Sequence, residues 1–341
     1  MNLRHVLRRK ETSLLLVIIG IGILISLVNP KFFTASNLTD VVRSYTVHGI
    51  VAMGMLLVIV TAGIDVSVGS MAAAVTVVVG TFLVDVGGGL LTIFVVGCLS
   101  GMLFGLFNGF FISKLQIPAI VVTLGSLSLF RGLELYATGG SWITGLPEWF
   151  IAFGQLKPLG IPVQIYFWIL TALLTYYLLT FTRVGRGVYA VGGNAEAATR
   201  VGYKRDRLLL LVWAYLGLMV GLAAVVHTSI YRQVDPNAFA WFELTVIAAT
   251  VLGGANIMGG EGSVLGTIFG VLLLAVVENG LILARIPSYW HEVIVGGVII
   301  TAVSIDVIQV RRRERSMARI DVEGRDSSVG GLASTEEEGR P

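Results

Sequence analysis

Ten stretches of this chain are apolar enough to be read as membrane spans. They run over about 14–28, 47–62, 66–84, 90–112, 117–135, 163–181, 208–230, 242–256, 264–284 and 291–309. A hydrocarbon core of about 30 Å takes roughly 20 helical residues at 1.5 Å each, so several runs are short. Only Gly63-Ile64-Asp65 parts the second run from the third, and the two read either as separate spans or as one broken unit. The pattern predicts an all-α polytopic membrane protein of about ten transmembrane helices, occupying residues 1–310. Leu14–Val28 follows four basic residues but no small-residue cleavage site comes after it, so it reads as a first span or anchor. After Arg311 the chain turns polar, opening on RRRER and ending in Ser, Gly and Glu, and 311–341 is expected to be a disordered tail.

The most basic interruption between runs is Arg183–Arg207, RVGRGVYAVGGNAEAATRVGYKRDR. Gly192-Gly193 is expected to turn the chain there and Asn194 to cap the next helix. Ala195–Arg200 reads as that short helix, stopped by Gly202. Such a segment is either a docking surface or simply the place where cytoplasmic positive charge is held.

Composition agrees with the membrane reading. Of 341 residues 55% are hydrophobic and 13% charged, with mean hydropathy +0.85; a soluble domain carries roughly 25% charged residues. With both termini inside, the inner segments hold Arg4, Arg8, Arg9, Lys10, Lys114, the six basic residues of 183–207 and seven more after 310. The outer ones hold Lys31, Arg43, Lys157, Arg232 and Arg285. This bias predicts an N-in, C-in topology and puts 183–207 in the cytoplasm. The longest outer loop, about 136–162, carries Trp142 and Trp149 and several Gly and Pro residues. It is expected to lie on the outer surface, either as interfacial anchorage or as a lid or partner surface.

The 42 glycines are not scattered at random. Gly97, Gly101, Gly105 and Gly109 recur every fourth residue, as do Gly262, Gly266 and Gly270, so each series predicts a bare helix face for close packing. GIDVSVGS (63–70) and GGEGSVLG (259–266) each introduce a glycine-rich span and hint at internal duplication.

Few residues carry chemistry. Asp65 is a costly carboxylate near the bilayer, read either with Ser67 as a helix cap or as a solute contact. Asn108 lies on the glycine ladder, suited to an inter-helix hydrogen bond or to a pathway wall. Glu243, Glu278 and Asn279 are polar intrusions that either line a pathway or belong to a buried network. Arg131 and Glu134 are three apart on one helical face and can pair. Asp306, near the end of the last run, is expected to face water or the basic tail. His5, His48, His227 and His291 have no metal-ligand spacing, Cys98 is a lone small hydrophobe, and there is no G-x-x-x-x-G-K-[ST] loop. An enzyme with its own ATPase site by that route is excluded. If the chain pumps, another subunit supplies the energy.

Four segments carry a resemblance: AGIDVSVGSMAA (62–73), LQIPAIVVTLGSLSLFRGL (115–133), GRGVYAVGGNAEAATRVGY (185–203) and VLGGANIMGGEGSVLGTIFGVLLLAVVENGL (251–281). Together they resemble the permease subunit of carbohydrate-uptake ABC importers, the branch with ribose, xylose, rhamnose and autoinducer-2 permeases. TGGSWITGLPEW (138–149) and LARIPSYWHEVIVG (283–296) resemble the autoinducer-2 and rhamnose branches more than the ribose branch. The resemblance implies a dimeric pore of two ten-span permeases in the bacterial inner membrane, an extracytoplasmic solute-binding protein, and a cytoplasmic ATPase that binds the ATP-Mg. This chain would need no cofactor of its own. The resemblance also implies that Gly192, Gly193, Asn194, Glu196, Ala197 and Arg200 form the ATPase-coupling loop. For a neutral sugar, small polar groups such as Ser67, Asn108, Asn256 and Asn279 suit a pathway wall, with Asp65, Glu243 and Glu278 as further candidates. The alternative is a secondary transporter coupled to an ion through Glu243 and Glu278. The long polar tail has no counterpart in the family pattern.

Overall fold

The computed structural model describes residues 10–287, 289–290, 292–297, 300–301 and 304. The tail from 311, Asp306 and much of the tenth apolar run lie outside the described residues. Among the described residues up to Leu283, twelve α-helices can be numbered in chain order: α1 Lys10–Val28, α2 Ala35–Val60, α3 Val68–Thr81, α4 Leu90–Ser113, α5 Ala119–Thr138 and α6 Glu148–Gln155, then α7 Val163–Phe181, α8 Arg183–Gly193, α9 Ala195–Arg200, α10 Arg205–Tyr231, α11 Phe242–Leu252 and α12 Val264–Leu283. A π-helical turn, Phe82–Val86, extends α3. Among the described residues, eight helices are long and apolar enough to cross a membrane: α1, α2, α3 with its π turn, α4, α5, α7, α10 and α12. The eighth apolar run, 242–256, yields only the 11-residue α11, because Gly253-Gly254 ends it.

The second and third runs are two helices, not one broken unit, parted by the turn 61–67, in which Gly63, Asp65 and Ser67 are buried. The second span also begins earlier than its apolar run, at Ala35. Its polar first turns are satisfied locally: Thr34 caps by accepting from the Asn37 amide at 3.4 Å, and Asn37 Nδ2 donates to Phe32 O at 2.9 Å.

Helix α10 is central, packed on α4, α2 and α3, and most of its surface is buried. The glycine ladder of α4 explains how. A methyl group on Gly101 or Gly105 would collide with the carbonyl of Gly217 or Trp213, and one on Gly97 with the Val225 side chain. From the other side, Gly217 abuts Gly101 O and Gly221 abuts Gly97 O. The two helices run antiparallel with backbones in direct contact, the packing that small residues permit where lipid is as apolar as any side chain. The second series divides. Gly266 and Gly270 of α12 meet the Gly253 and Ala249 carbonyls at the end of α11. Gly262 precedes α12 and faces Leu56 and Val60 of α2 instead.

The segment 136–162 is built into the bundle. Ile143 bridges to Val234 through N–H···O bonds of 3.0 and 2.9 Å. Phe150 and Phe153 of α6 pack into a cluster with Val75, Val79, Ile93 and Ala224. Gln164 Nε2 donates to Gly154 O at 2.7 Å. Trp142 and Trp149 stay exposed.

Gly101→Ala and Gly217→Ala should each destabilise the protein by about 1–3 kcal/mol, as overpacking does, because the obstacle is backbone. Gly20→Ala on α1, with open space around it, should be neutral. Thermal unfolding in detergent checks the contrast.

Candidate functional site

The basic segment 183–207 folds as two helices and the start of a third. Thr182 caps α8 by accepting from the Gly185 amide at 3.0 Å. Asn194 both ends α8 and caps α9, its Oδ1 accepting from Ala197 N at 2.9 Å. Residues Ala195–Arg200 form α9, and Gly202, with φ +95°, comes after it. Glu196 and Arg200 pair at 2.7 Å on a face exposed by more than three quarters. Beside it Lys114, Lys204, Arg205 and Arg207 ring a basic pocket of about 600 Å³, where Lys114 lies 3.9 Å from Asp206.

Gly192-Gly193 is not the turn that its sequence predicts. Both residues complete α8, neither has a positive φ, and Asn194 redirects the chain. Gly192 is needed for contact instead: an added Cβ would strike Val60 O at the end of α2 and lie 2.7 Å from Gly260 N. Gly260 N donates to that same Val60 O at 2.9 Å, and Tyr189 of α8 donates its hydroxyl to Gly262 O at 2.9 Å. Three backbones therefore meet: the end of α8, the turn after α2, and the loop before α12. The two repeat-like segments come close here, an added Cβ on Gly259 falling 3.1 Å from Ala62 N, just before the first of them. Their caps differ. Ser263 Oγ accepts from Gly266 N at 3.0 Å, whereas Ser67 makes no side-chain cap to α3.

Asp65, Ser67 and Asn108 come together with Ser126, all buried. Asp65 Oδ1 accepts from Ser67 N at 2.7 Å and from Ser67 Oγ at 2.6 Å, so it fastens the turn rather than capping the first amides of α3. Asn108 Nδ2 donates to Ser67 Oγ at 2.9 Å and lies 3.4 Å from Asp65 Oδ2. Asn108 Oδ1 accepts from Ser126 Oγ of α5. Glu243 sits beside the start of α3, where a methyl group on Gly69 would collide with its Oε2. Arg131 pairs with Glu134 at 2.6 Å, as their spacing predicts, and also donates to Pro236 O at 2.8 Å. It thereby holds the linker before α11.

The remaining candidates separate. Asn279 exchanges amide hydrogen bonds of 3.0 Å with Asn37. Asn256 Oδ1 accepts from Met258 N at 2.9 Å within its own loop. Glu278 accepts from the Tyr45 hydroxyl and also lines a cavity of about 480 Å³. Residues of α2, α10, α11, α12 and the 239–241 and 292–296 segments wall that cavity. Its aromatic lining is a feature that spacing in the sequence does not reveal. Metal-ligand spacing says nothing of the histidines, yet His48 stacks on Tyr45 and packs on Phe242, and His227 packs on Tyr231 and Phe239. The one signal in the sequence is their placement, each near an aromatic residue inside or beside an apolar run.

A family model described as branched-chain amino acid transport system / permease component matches residues 37–303. The chain is 36% identical over 305 residues to the ribose import permease protein of Escherichia coli K12, covering 88% of this chain and 94% of that one. It is 34% identical over 328 residues to the autoinducer 2 import system permease protein of Photorhabdus laumondii, covering 93% and 96%. The corresponding autoinducer 2 permease protein of Yersinia pestis is 35% identical over 310 residues, covering 89% and 86%. No solved structure matches the chain.

Asn108→Leu removes the amide that joins Ser67 to Ser126. Each buried polar group left unpaired costs about 1–3 kcal/mol, so a lowered unfolding temperature in detergent is the expected outcome.

Proposed function

The chain belongs to the family of branched-chain amino acid transport system permease components, and from that membership we propose a specific role. It is the membrane-spanning permease subunit of an ATP-driven importer for a monosaccharide or sugar-like solute, of the ribose or autoinducer-2 kind. The observation that carries the reading is the relatives' identity over nearly their whole length, under names that specify ribose and autoinducer 2 import. The cavity lining supports a neutral cargo over an amino acid. Among the described residues it contains Glu278 and Glu292 but neither Lys nor Arg, so the carboxylate of an amino acid would find no guanidinium or ammonium there.

The subunit sits in the bacterial inner membrane with both termini inside, the orientation that the basic residues of 183–207 favour. A separate ATPase binds ATP-Mg and docks on α9, whose Glu196–Arg200 face is exposed and carries no apolar burden of its own. A solute-binding protein docks at the opposite end, on the surface that includes Trp142 and Trp149. A second copy or a similar permease completes the pore. When ATP closes the ATPase pair, α9 moves. Gly192 and Tyr189 of α8 pass that movement to the turn after α2 and the loop before α12 through the contacts at Val60, Gly260 and Gly262. Asp65, Ser67 and Asn108 fix the first of those turns to α4. Glu243, Glu278, Asn256 and Asn279 lie along the elements that would shift.

Two experiments test this. Reconstitution with the co-purifying ATPase and binding protein should give uptake of labelled ribose, rhamnose or autoinducer-2 that needs both ATP and the binding protein. Uptake by the chain alone under an ion gradient would overturn the reading in favour of a secondary transporter. Arg200→Glu should leave folding intact, since an exposed ion pair adds little stability. It should abolish ATPase association in pull-downs from membranes, and retained association would rule out α9 as the docking element.

A further inference from the structure

Six rings adjoin one another without a break, and all but the first, Tyr45, line the cavity near the Tyr231 end of α10. Tyr45 stacks on His48, with centroids 4.7 Å apart, and His48 packs on Phe242 at 4.5 Å. Phe242 meets Phe239 edge-on at 5.1 Å. Phe239 packs on His227, and His227 on Tyr231, each at 4.3 Å. Facing this wall are the carboxylates of Glu278 and Glu292 and the hydroxyl of Ser44.

Three features set this cavity apart from ordinary helix packing. First, its wall is strained. Phe239 and Trp241 hold φ of +64° and +62°, and Arg232 at the start of the same linker holds +60°. Bulky residues seldom adopt this region, and such strain gathers where a backbone is shaped for binding. Second, a polar atom of a lining residue has no hydrogen bond. His227 Nδ1 is buried, with no hydrogen-bond partner among the described residues, and its residue lines the cavity. Buried polar atoms are rarely left so, and each exception calls for an explanation. Third, the volume of about 480 Å³ falls in the range of small-molecule sites.

We propose that this cavity is a subsite for a neutral polyhydroxylated solute in transit. Aromatic faces take the C–H faces of such a molecule, while carboxylates and imidazoles take its hydroxyls. Both kinds of group are present and converge. Glu278 is held in place by the Tyr45 hydroxyl, and His227 by Phe239 and Tyr231, so the hydrogen-bonding groups are preorganised. The cavity lies far from the docking end: Arg205 and His227 are 22 residues apart on α10, about 33 Å at 1.5 Å per residue. In the importer it would receive solute after release from the binding protein. The proposal rests on the importer reading.

Cysteine protection in the assembled, reconstituted transporter tests it. In a Cys98→Ser background, Trp241→Cys reports on the cavity and Trp142→Cys on the outer loop, both at exposed positions. Saturating D-ribose, L-rhamnose or autoinducer-2 should slow maleimide labelling at 241 by about tenfold or more and leave 142 unchanged. Glu278→Gln and His227→Gln should cut uptake of that same solute about tenfold with the complex recovered at the wild-type level. If wild type imports one of the three but that solute gives no protection at 241, the subsite is overturned and the importer reading stands. Protection with unchanged uptake in both variants also overturns it, as a site off the route. If wild type imports none of the three, the importer reading fails and the subsite falls with it.

Discussion

Direct contact between backbones is the constraint on which this molecule depends. In a bilayer the apolar surface of a helix gains little by leaving lipid, so helices are held by close packing and by polar groups that find each other. Gly97, Gly101 and Gly105 bring the α4 backbone against Gly217 and Gly221, which fixes α10 in the middle of the bundle. Helices α2 and α3 then pack on α10. The same device recurs where Gly266 and Gly270 meet the end of α11, and again where Gly192 meets Val60 O. At each contact except that of Gly97, which meets the Val225 side chain first, the obstacle to a side chain is a carbonyl, which cannot rotate away. The register of these helices is therefore set without recourse to side-chain shape.

Buried polar groups do a second kind of work on this frame. Asp65, Ser67, Asn108 and Ser126 exchange hydrogen bonds across three segments, and Asn37 and Asn279 pair across two more. An unpaired polar group in a low-dielectric interior is expensive, so such sets favour one arrangement over many near neighbours. The cavity differs in kind. There Glu278 and His227 sit at a void rather than within a closed set. The contrast separates polar residues that close a set between helices from those that line a cavity.

What could be read from the sequence was local. Apolar runs located the eight long spans, and Asn194 with Gly202 bracketed α9 correctly, because caps and helix stops act within a few residues. The spacing of Arg131 and Glu134 gave their pairing for the same reason. The four-residue glycine period announced close packing but not its partner, since Gly217 and Gly221 lie more than a hundred residues further on. The polar start of α2 is invisible to a search for apolar runs, and its support comes partly from Asn279 on α12. Gly192 looks like a turn because glycine permits one, whereas its role is to admit a carbonyl from another helix. The aromatic cavity is the least legible feature, as its rings come from α2, α10, α11 and the linker between the last two.

These elements bear on how the two ends of the permease communicate. Helix α9 is short and capped at both ends, so a push on it is carried by its neighbours rather than absorbed within it. Its neighbour α8 reaches the tip of α2 at Val60, through a contact with no compliant side chain between the backbones. From Val60, α2 continues as one helix to His48 and Ser44 in the cavity wall, 12 to 16 residues away, or about 18–24 Å at 1.5 Å per residue. A packed helix moves as a body, because the interior around it resists continuous deformation. Movement of Val60 therefore reaches His48 and, through the Tyr45 hydroxyl, Glu278. The helix that meets α8 at Val60 is the same one that carries Tyr45 and His48, so a displacement of α8 and a shift of one side of the cavity are linked through the geometry of α2.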